Sequence, residues 1–165
     1  MKLFKKVIAM AAMGAMAVSA FAGCSSQNSG SADKFYIGGI GPVTGDAAVY
    51  GTAVKNGAQI AVDEINAAGG INGYQIEFKF EDDKAVGESS IDAYNTLKDW
   101  GMKILMGTVT SGACESVVPL TGDDNMFQLT PSASAANLIE GDNVFQVCFT
   151  DPNQGIASAQ YIAEH

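Results

Sequence analysis

Arginine is absent from the 165 residues, histidine occurs once, at the last position, and cysteine occurs three times. Each shortage closes off a kind of chemistry. Without Arg there is no bidentate guanidinium fork, so an anionic ligand has to be held by backbone N–H groups, hydroxyls or Lys. With His165 as the lone imidazole, His-dependent general-base catalysis and His-rich metal sites have almost nothing to work with. Cys114 and Cys148 are too few for a disulfide framework and, in apolar settings, read as two small unpaired hydrophobes. Catalytic motifs are missing as well. Ser111 is outside any G-x-S-x-G, and no Walker A loop occurs. Gly39-Ile40-Gly41 follows a strand pattern, but the next position of the dinucleotide fingerprint is Thr44, and Asp63 and Glu64 fall inside a helix pattern. Glu81-Asp82-Asp83 is a dense acid run, but Lys84 breaks the alternation of a calcium loop, so a solvated strand end is expected. The expectation is a protein that is not an enzyme and has no metal or cofactor.

Positive charge is scarce and concentrated at the start. Lys2, Lys5 and Lys6 precede the apolar run Val7–Ala22, which is shorter than the roughly 20 residues a membrane span needs. Residues 1–23 therefore read as a secretory signal peptide. Cys24, after Ala22-Gly23, resembles the lipidated cysteine of a bacterial lipobox, although Phe21 stands where an aliphatic residue is commoner. Residues 24–34, rich in Ser and otherwise small or polar, read as a flexible tether. The implied location is extracytoplasmic, anchored to the cell membrane through Cys24. Past the leader the chain carries six Lys against eighteen acids, a net charge of −12, which argues against nucleic acid or an anionic membrane surface as partner.

From residue 35 onward strand and helix patterns alternate. Strands are expected at 35–41, 75–81, 103–107, 126–130 and 144–149. Helices are expected at 47–68, 88–100, 112–120 and 135–139, and again from Gln154 to the last residue, where no stop signal occurs. Val54, Ala58, Ala61, Val62 and Ile65 form the apolar face of the first long helix; Ile91, Tyr94 and Leu97 form that of the second. Such alternation means βαβ units and a mostly parallel α/β sheet flanked by helices.

Two strand ends run directly into hydroxyl-rich turns, Thr108-Val109-Thr110-Ser111-Gly112 and Thr130-Pro131-Ser132-Ala133-Ser134. In an open α/β sheet, ligands bind at the carboxyl ends of the strands, where a helix start offers unpaired N–H groups to a carboxylate. Serine hydroxyls also accept from an ammonium group. Ser111, Ser132 and Ser134 would equally serve as helix N-caps. Two such turns side by side in a chain without Arg point at least as strongly to a small zwitterion.

Further segments extend this picture: Gly41-Pro42-Val43-Thr44-Gly45 with Tyr50-Gly51, Asn66 through Gly73, Glu81-Asp82-Asp83, Ser111-Gly112-Ala113, and Val144-Phe145 through Gly155. In this order they resemble the leucine/isoleucine/valine-binding proteins of bacterial ABC transporters. The resemblance implies a type I periplasmic-binding fold of two lobes closing over an amino acid. It assigns 35–150 to an incomplete first lobe, and 151–165 to the crossover and first helix of a truncated second. It implies that Ser111 and the N–H groups from Gly112 onward hold the α-carboxylate. Ser132, Ala133 and Ser134 share in holding carboxylate and ammonium, and Tyr50 and Val109 flank the ligand side chain. The implied partners are a small zwitterionic amino acid and the membrane subunits of an ABC transporter. Some relatives carry a disulfide at the positions of Ala85 and Thr110, which is absent here. The same fold with an amide, an aromatic acid or another small solute as cargo, or serving as a ligand-sensing domain, is the alternative.

Overall fold

A computed structural model of the protein describes residues 34–165. The signal peptide, Cys24 and the tether as far as residue 33 lie outside the described residues. Strand β1 (Lys34–Gly41) begins one residue inside the expected tether and is followed by helix α1 (Ala48–Ala67). Then come β2 (Gln75–Asp82), α2 (Gly87–Trp100), β3 (Ile104–Met106), α3 (Ser111–Asp123) and β4 (Phe127–Thr130). A 3-10 turn at Ala136–Ile139, β5 (Val144–Gln146) and α4 (Asp151–Glu164) complete the order. All four strand pairings are parallel, in the sheet order β2-β1-β3-β4-β5. The chain therefore reverses its winding between β1 and β3, the position where doubly wound sheets open a crevice at their carboxyl ends.

Alternation along the strands sorts side chains to the two faces. Gly38 and Ile40 of β1 point toward α2 and α3; a Cβ on Gly38 would lie 2.6 Å from the Met102 sulfur and 3.0 Å from Leu97. That face holds the core of Ile40, Ala93, Tyr94, Leu97, Met102, Leu105 and Val117. On the opposite face α1 covers β1 and β2, where Phe78 and Phe80 fill the space left by Gly39. The same face of β4 and β5 stays exposed at Phe127 and Phe145, whose rings stack 5.1 Å apart.

Helix ends follow local chemistry. Gly101 takes the left-handed conformation (φ 96°) that closes α2, with its N–H on the Lys98 carbonyl and that of Met102 on Leu97. Gly70 (φ 80°) ends the turn after α1, where a Cβ would lie 2.0 Å from the Tyr74 carbonyl oxygen. Several expectations need correction. Ala61 and Ile91 are exposed, because α1 and α2 bury narrower stripes than their sequences offer. Helix α3 runs past Leu120 to Asp123, since Val117 and Thr121, buried on either side of Pro119, hold the chain helical through it. Strand β5 stops at Gln146, because its partner β4 ends at Thr130 and offers nothing further to pair with. Helix α4 starts at Asp151, with Pro152 in the first turn where its missing N–H costs nothing. No residue of α4 is buried, and among the described residues no helix is long and apolar enough to cross a membrane.

Candidate functional site

Three loops rise from the carboxyl ends of β1, β3 and β4. The first is pinned by Asp82, whose carboxylate accepts from the Val43 N–H (2.9 Å), the Thr44 hydroxyl (2.5 Å) and the Lys84 N–H (3.0 Å). Partial burial pushes the Asp82 carboxyl up, but these donors outweigh it and hold the group below its ordinary value. Behind the loop, Gly51 packs so closely on Pro42 that a Cβ would lie 1.9 Å from the Pro42 carbonyl oxygen. That contact fixes the first turn of α1 and leaves the neighbouring Tyr50 facing outward, 62% exposed.

The acid run is therefore not a solvated strand end. Glu81 pairs with Lys79 at 2.8 Å, Asp82 braces the first loop, and Asp83 is fully buried. Burial pushes the Asp83 carboxyl above its ordinary value, against the Ala85 N–H (2.9 Å) and Ser90 hydroxyl (3.3 Å) that favour the charged form. Among the described residues no cluster of His, Cys, Asp or Glu is placed to hold a metal ion.

Loops two and three are laced together. The Ser111 hydroxyl oxygen accepts from the N–H groups of Ser134 (3.2 Å) and Ala135 (3.3 Å). Ser132 Oγ donates to the Val109 carbonyl at 2.7 Å, and Thr130 Oγ1 donates to the Thr108 carbonyl at 2.7 Å. None of the three serines is a helix N-cap: Thr110 occupies that position for α3 and Ala135 for the 3-10 turn, with no side-chain cap at either. The first intrahelical bond of α3 runs from the Cys114 N–H to the Thr110 carbonyl, which leaves the N–H groups of Ser111 and Gly112 without a partner among the described residues. Space above them is open, since a Cβ on Gly112 would meet no atom within 4 Å. The buried Thr110 hydroxyl has no partner among the described residues either.

Ser111, Gly112, Ser132 and Ser134 thus form one neutral polar shelf. Val109 and Ala133 do not join its surface. The Val109 side chain, 2% exposed, is turned beneath the loop onto Gly41. Ala133 is 1% exposed, with its N–H on Thr130 Oγ1 (3.1 Å) and its carbonyl accepting from Gln146 Nε2. Tyr50 stands apart on α1. A separate concavity of about 640 Å³ lies along β5, lined by Phe145, Gln146, Cys148, Phe149 and Asn153. Among the described residues Cys114 and Cys148 are both free; Cys114 is buried, which pushes its thiol up, and Cys148 is half-buried with its sulfur on the Ala133 carbonyl at 3.4 Å.

Sequence reasoning passed over Gln128, placed Thr130 only as the start of a hydroxyl-rich turn, and read Asp82 only as part of a solvated strand end. The available signal was the pair of polar residues alternating along the four-residue strand β4.

Residues 34–165 match the family model described as periplasmic binding protein. The chain is 37% identical over 131 residues to the Leu/Ile/Val-binding protein BraC3 of Rhizobium johnstonii, covering 78% of this chain and 36% of the relative. It is 33% identical over 152 residues to the leucine-, isoleucine-, valine-, threonine- and alanine-binding protein of Pseudomonas aeruginosa, covering 91% and 40%. Among solved structures, the branched-chain amino acid transporter substrate-binding protein LivJ of Streptococcus pneumoniae, in complex with isoleucine, matches with a TM-score of 0.69 at 36% identity. That match covers 72% of this chain and 35% of that one. The chain thus spans little more than a third of the length of these relatives. With the parallel five-stranded sheet, its loops and these matches in agreement, the chain belongs to the periplasmic binding proteins and has their type I fold.

Proposed function

We propose that the chain forms the amino-acid-binding lobe of an exported solute-binding protein that delivers branched-chain amino acids to an ABC transporter. The observation carrying this reading is the polar shelf. Unpaired N–H groups of Ser111 and Gly112 at the start of α3 lie beside the Ser111 hydroxyl and the Ser132–Ser134 turn, with open space above. Such a shelf suits a carboxylate held without a guanidinium, as the absence of Arg from the chain requires. The Ser111 oxygen already accepts from two amides, so its own proton is the group left to donate to the ligand. Ser132 and Ser134 would share in holding the two charged ends, and Tyr50 would stand at the mouth toward the ligand side chain. Given their burial, Val109 and Ala133 would act from beneath, as floor and backbone frame. The names borne by the relatives support leucine, isoleucine and valine as cargo.

In the same reading, residues 1–23 are removed on export, Cys24 carries the lipid anchor, and 35–150 belong to the first lobe. Residues 151–165 cross over and begin the second lobe, whose closure buries the ligand. Burying a leucine side chain contributes about 1.5–3 kcal/mol, whereas micromolar affinity needs about 8 kcal/mol. The contacts to carboxylate and ammonium must therefore supply much of the difference. Isothermal titration of the whole protein against leucine, isoleucine, valine, phenylalanine and a small amide tests the reading. Heat with the branched-chain acids, reduced about tenfold or more in affinity by Ser111→Ala, is the expected result. Heat with the amide alone would overturn the zwitterion assignment, and unchanged affinity in Ser111→Ala would remove that residue from the site.

A further inference from the structure

Two polar side chains of β4 are buried, Gln128 between the aliphatic Leu105 and Val144 of the neighbouring strands and Thr130 at the strand end, beside Gln146. Gln128 and Thr130 are both 0% exposed and share the face toward α3; in register beside Gln128 is Leu105, and Ile40 follows on the same face of β1. Desolvated polar groups are costly unless fully bonded, and each of the two donates to a carbonyl of the same short segment, Gly107-Thr108. Gln128 Nε2 donates to the Gly107 carbonyl at 2.9 Å, while its oxygen accepts from the Thr121 hydroxyl at 2.7 Å. Thr130 Oγ1 donates to the Thr108 carbonyl at 2.7 Å and accepts from the Ala133 N–H at 3.1 Å.

These bonds sit where the sheet runs out. The main-chain pairing of β3 with β4 finishes with the Gly107 N–H on the Leu129 carbonyl, 2.9 Å. Beyond it, side chains of β4 take over the carbonyls of Gly107 and Thr108. The exit of β3 toward α3 is thus set by β4 side chains rather than by the ladder. The Thr130 hydroxyl fixes both loops at once: it holds Thr108, which leads into Ser111, and Ala133, inside the Ser132–Ser134 turn. A wholly buried hydroxyl bonded to both loops determines their offset.

We propose that Thr130 is a positioning residue. It sets the offset at which the Ser134 and Ala135 amides reach the Ser111 hydroxyl, and so sets ligand affinity without touching the ligand. The affinity part rests on the reading of these two loops as the binding site. The offset part does not.

Two variants on the whole protein test it. Thr130→Val keeps the shape and removes the hydroxyl; Thr130→Ser keeps the hydroxyl and removes a buried methyl. Amide hydrogen exchange at Ser134 and Ala135 is expected to quicken about tenfold or more in Thr130→Val, with α2 unchanged, and to stay within about threefold in Thr130→Ser. Leucine affinity should follow the same order, about tenfold weaker in Thr130→Val and close to wild type in Thr130→Ser. A purely structural role predicts instead that both variants lose protection everywhere in proportion to stability. Unchanged exchange at Ser134 and Ala135 in Thr130→Val would overturn the proposal. So would equal damage in Thr130→Ser, which can be measured even if Thr130→Val does not fold. A wild-type protein silent to every ligand would sink the functional reading alone, leaving the exchange result to decide Thr130. Weakened binding in Ser111→Ala beside wild-type binding in Thr130→Val would sink the Thr130 affinity link alone.

Discussion

The protein holds two polar clusters at opposite ends of its sheet, and they are built on opposite plans. At the amino end of the strands, the Tyr94 hydroxyl donates to Asp124 at 2.7 Å and the Lys98 ammonium reaches the same carboxylate at 2.5 Å. This clamp ties the C-terminal turn of α2 to the C-cap of α3, and Lys98 and Tyr94 together hold the Asp124 carboxyl below its ordinary value. Burial, followed by the Asp124 bond, pushes the Tyr94 hydroxyl well above its own. The cluster is charged and turned inward on itself. At the carboxyl end, the cluster around Ser111 is neutral, hydroxyl against carbonyl and amide, and it leaves N–H groups and the Thr110 hydroxyl unspent. In the charged cluster the partners meet one another, whereas the neutral one leaves backbone N–H groups facing open space, as the proposed binding role needs.

The comparison breaks first at Gly51. Gly51→Ala places a Cβ against the Pro42 carbonyl oxygen, at the base of the first loop. Overpacking of this kind costs about 1–3 kcal/mol. The expected outcome is a lower urea midpoint together with weaker ligand binding, because Tyr50 is displaced with the helix start. A loss of stability with intact affinity would show that the first loop is no part of the binding end.

A cleaner contrast comes from Tyr94→Phe, which removes one bond to Asp124 and nothing else. Its expected effect is a stability loss of about 1 kcal/mol in denaturant unfolding, with ligand affinity unchanged. Ser111→Ala should do the reverse, moving affinity far more than stability. Equal effects of both substitutions on both quantities would erase the distinction between the two clusters.

The smallest effect expected concerns pH. Asp83 has a raised carboxyl in the fold, so the folded state binds its proton more tightly than the unfolded chain does. Its contribution to stability is therefore greatest at low pH and declines as pH rises from the ordinary value of 3.8 through the raised one. Asp124, with a lowered carboxyl, acts in the opposite sense: its contribution is present above 3.8 and fades as pH falls below it. Asp83→Asn should flatten the decline above 3.8 and leave the acid limb in place, as read from urea unfolding at a series of pH values. An unchanged profile would mean that Asp83 does not titrate differently on folding.

The order of strands and helices was legible in the sequence because periodicity and punctuation act locally. Gly101 closes α2 and Gly69-Gly70 follow α1 where their backbone freedom says they should. The shelf was legible too, since Ser111, Gly112, Ser132 and Ser134 come together at adjacent strand ends as their position after β3 and β4 requires. Which way Val109 and Ala133 face was not. Each sits in a polar turn and reads as a surface residue, but the space left by Gly41 draws Val109 under, and Thr130 and Gln146 close over the Ala133 backbone. Asp83 misled for another reason: three acids in a row look solvated until the start of the next helix, α2, turns back over one of them through Ser90.

By itself, then, the sequence determined the α/β class, the absence of Arg from this chain and of His before its last position, and the two turns that carry hydroxyls. These follow from composition and from spacings of a few residues. Only the tertiary structure decided how the two turns are offset, which of their side chains face outward, and which hydroxyls remain free. Those depend on residues far apart in sequence, such as Thr130 on Thr108 and Ser111 on Ser134, whose bonds form only once β3 and β4 lie side by side.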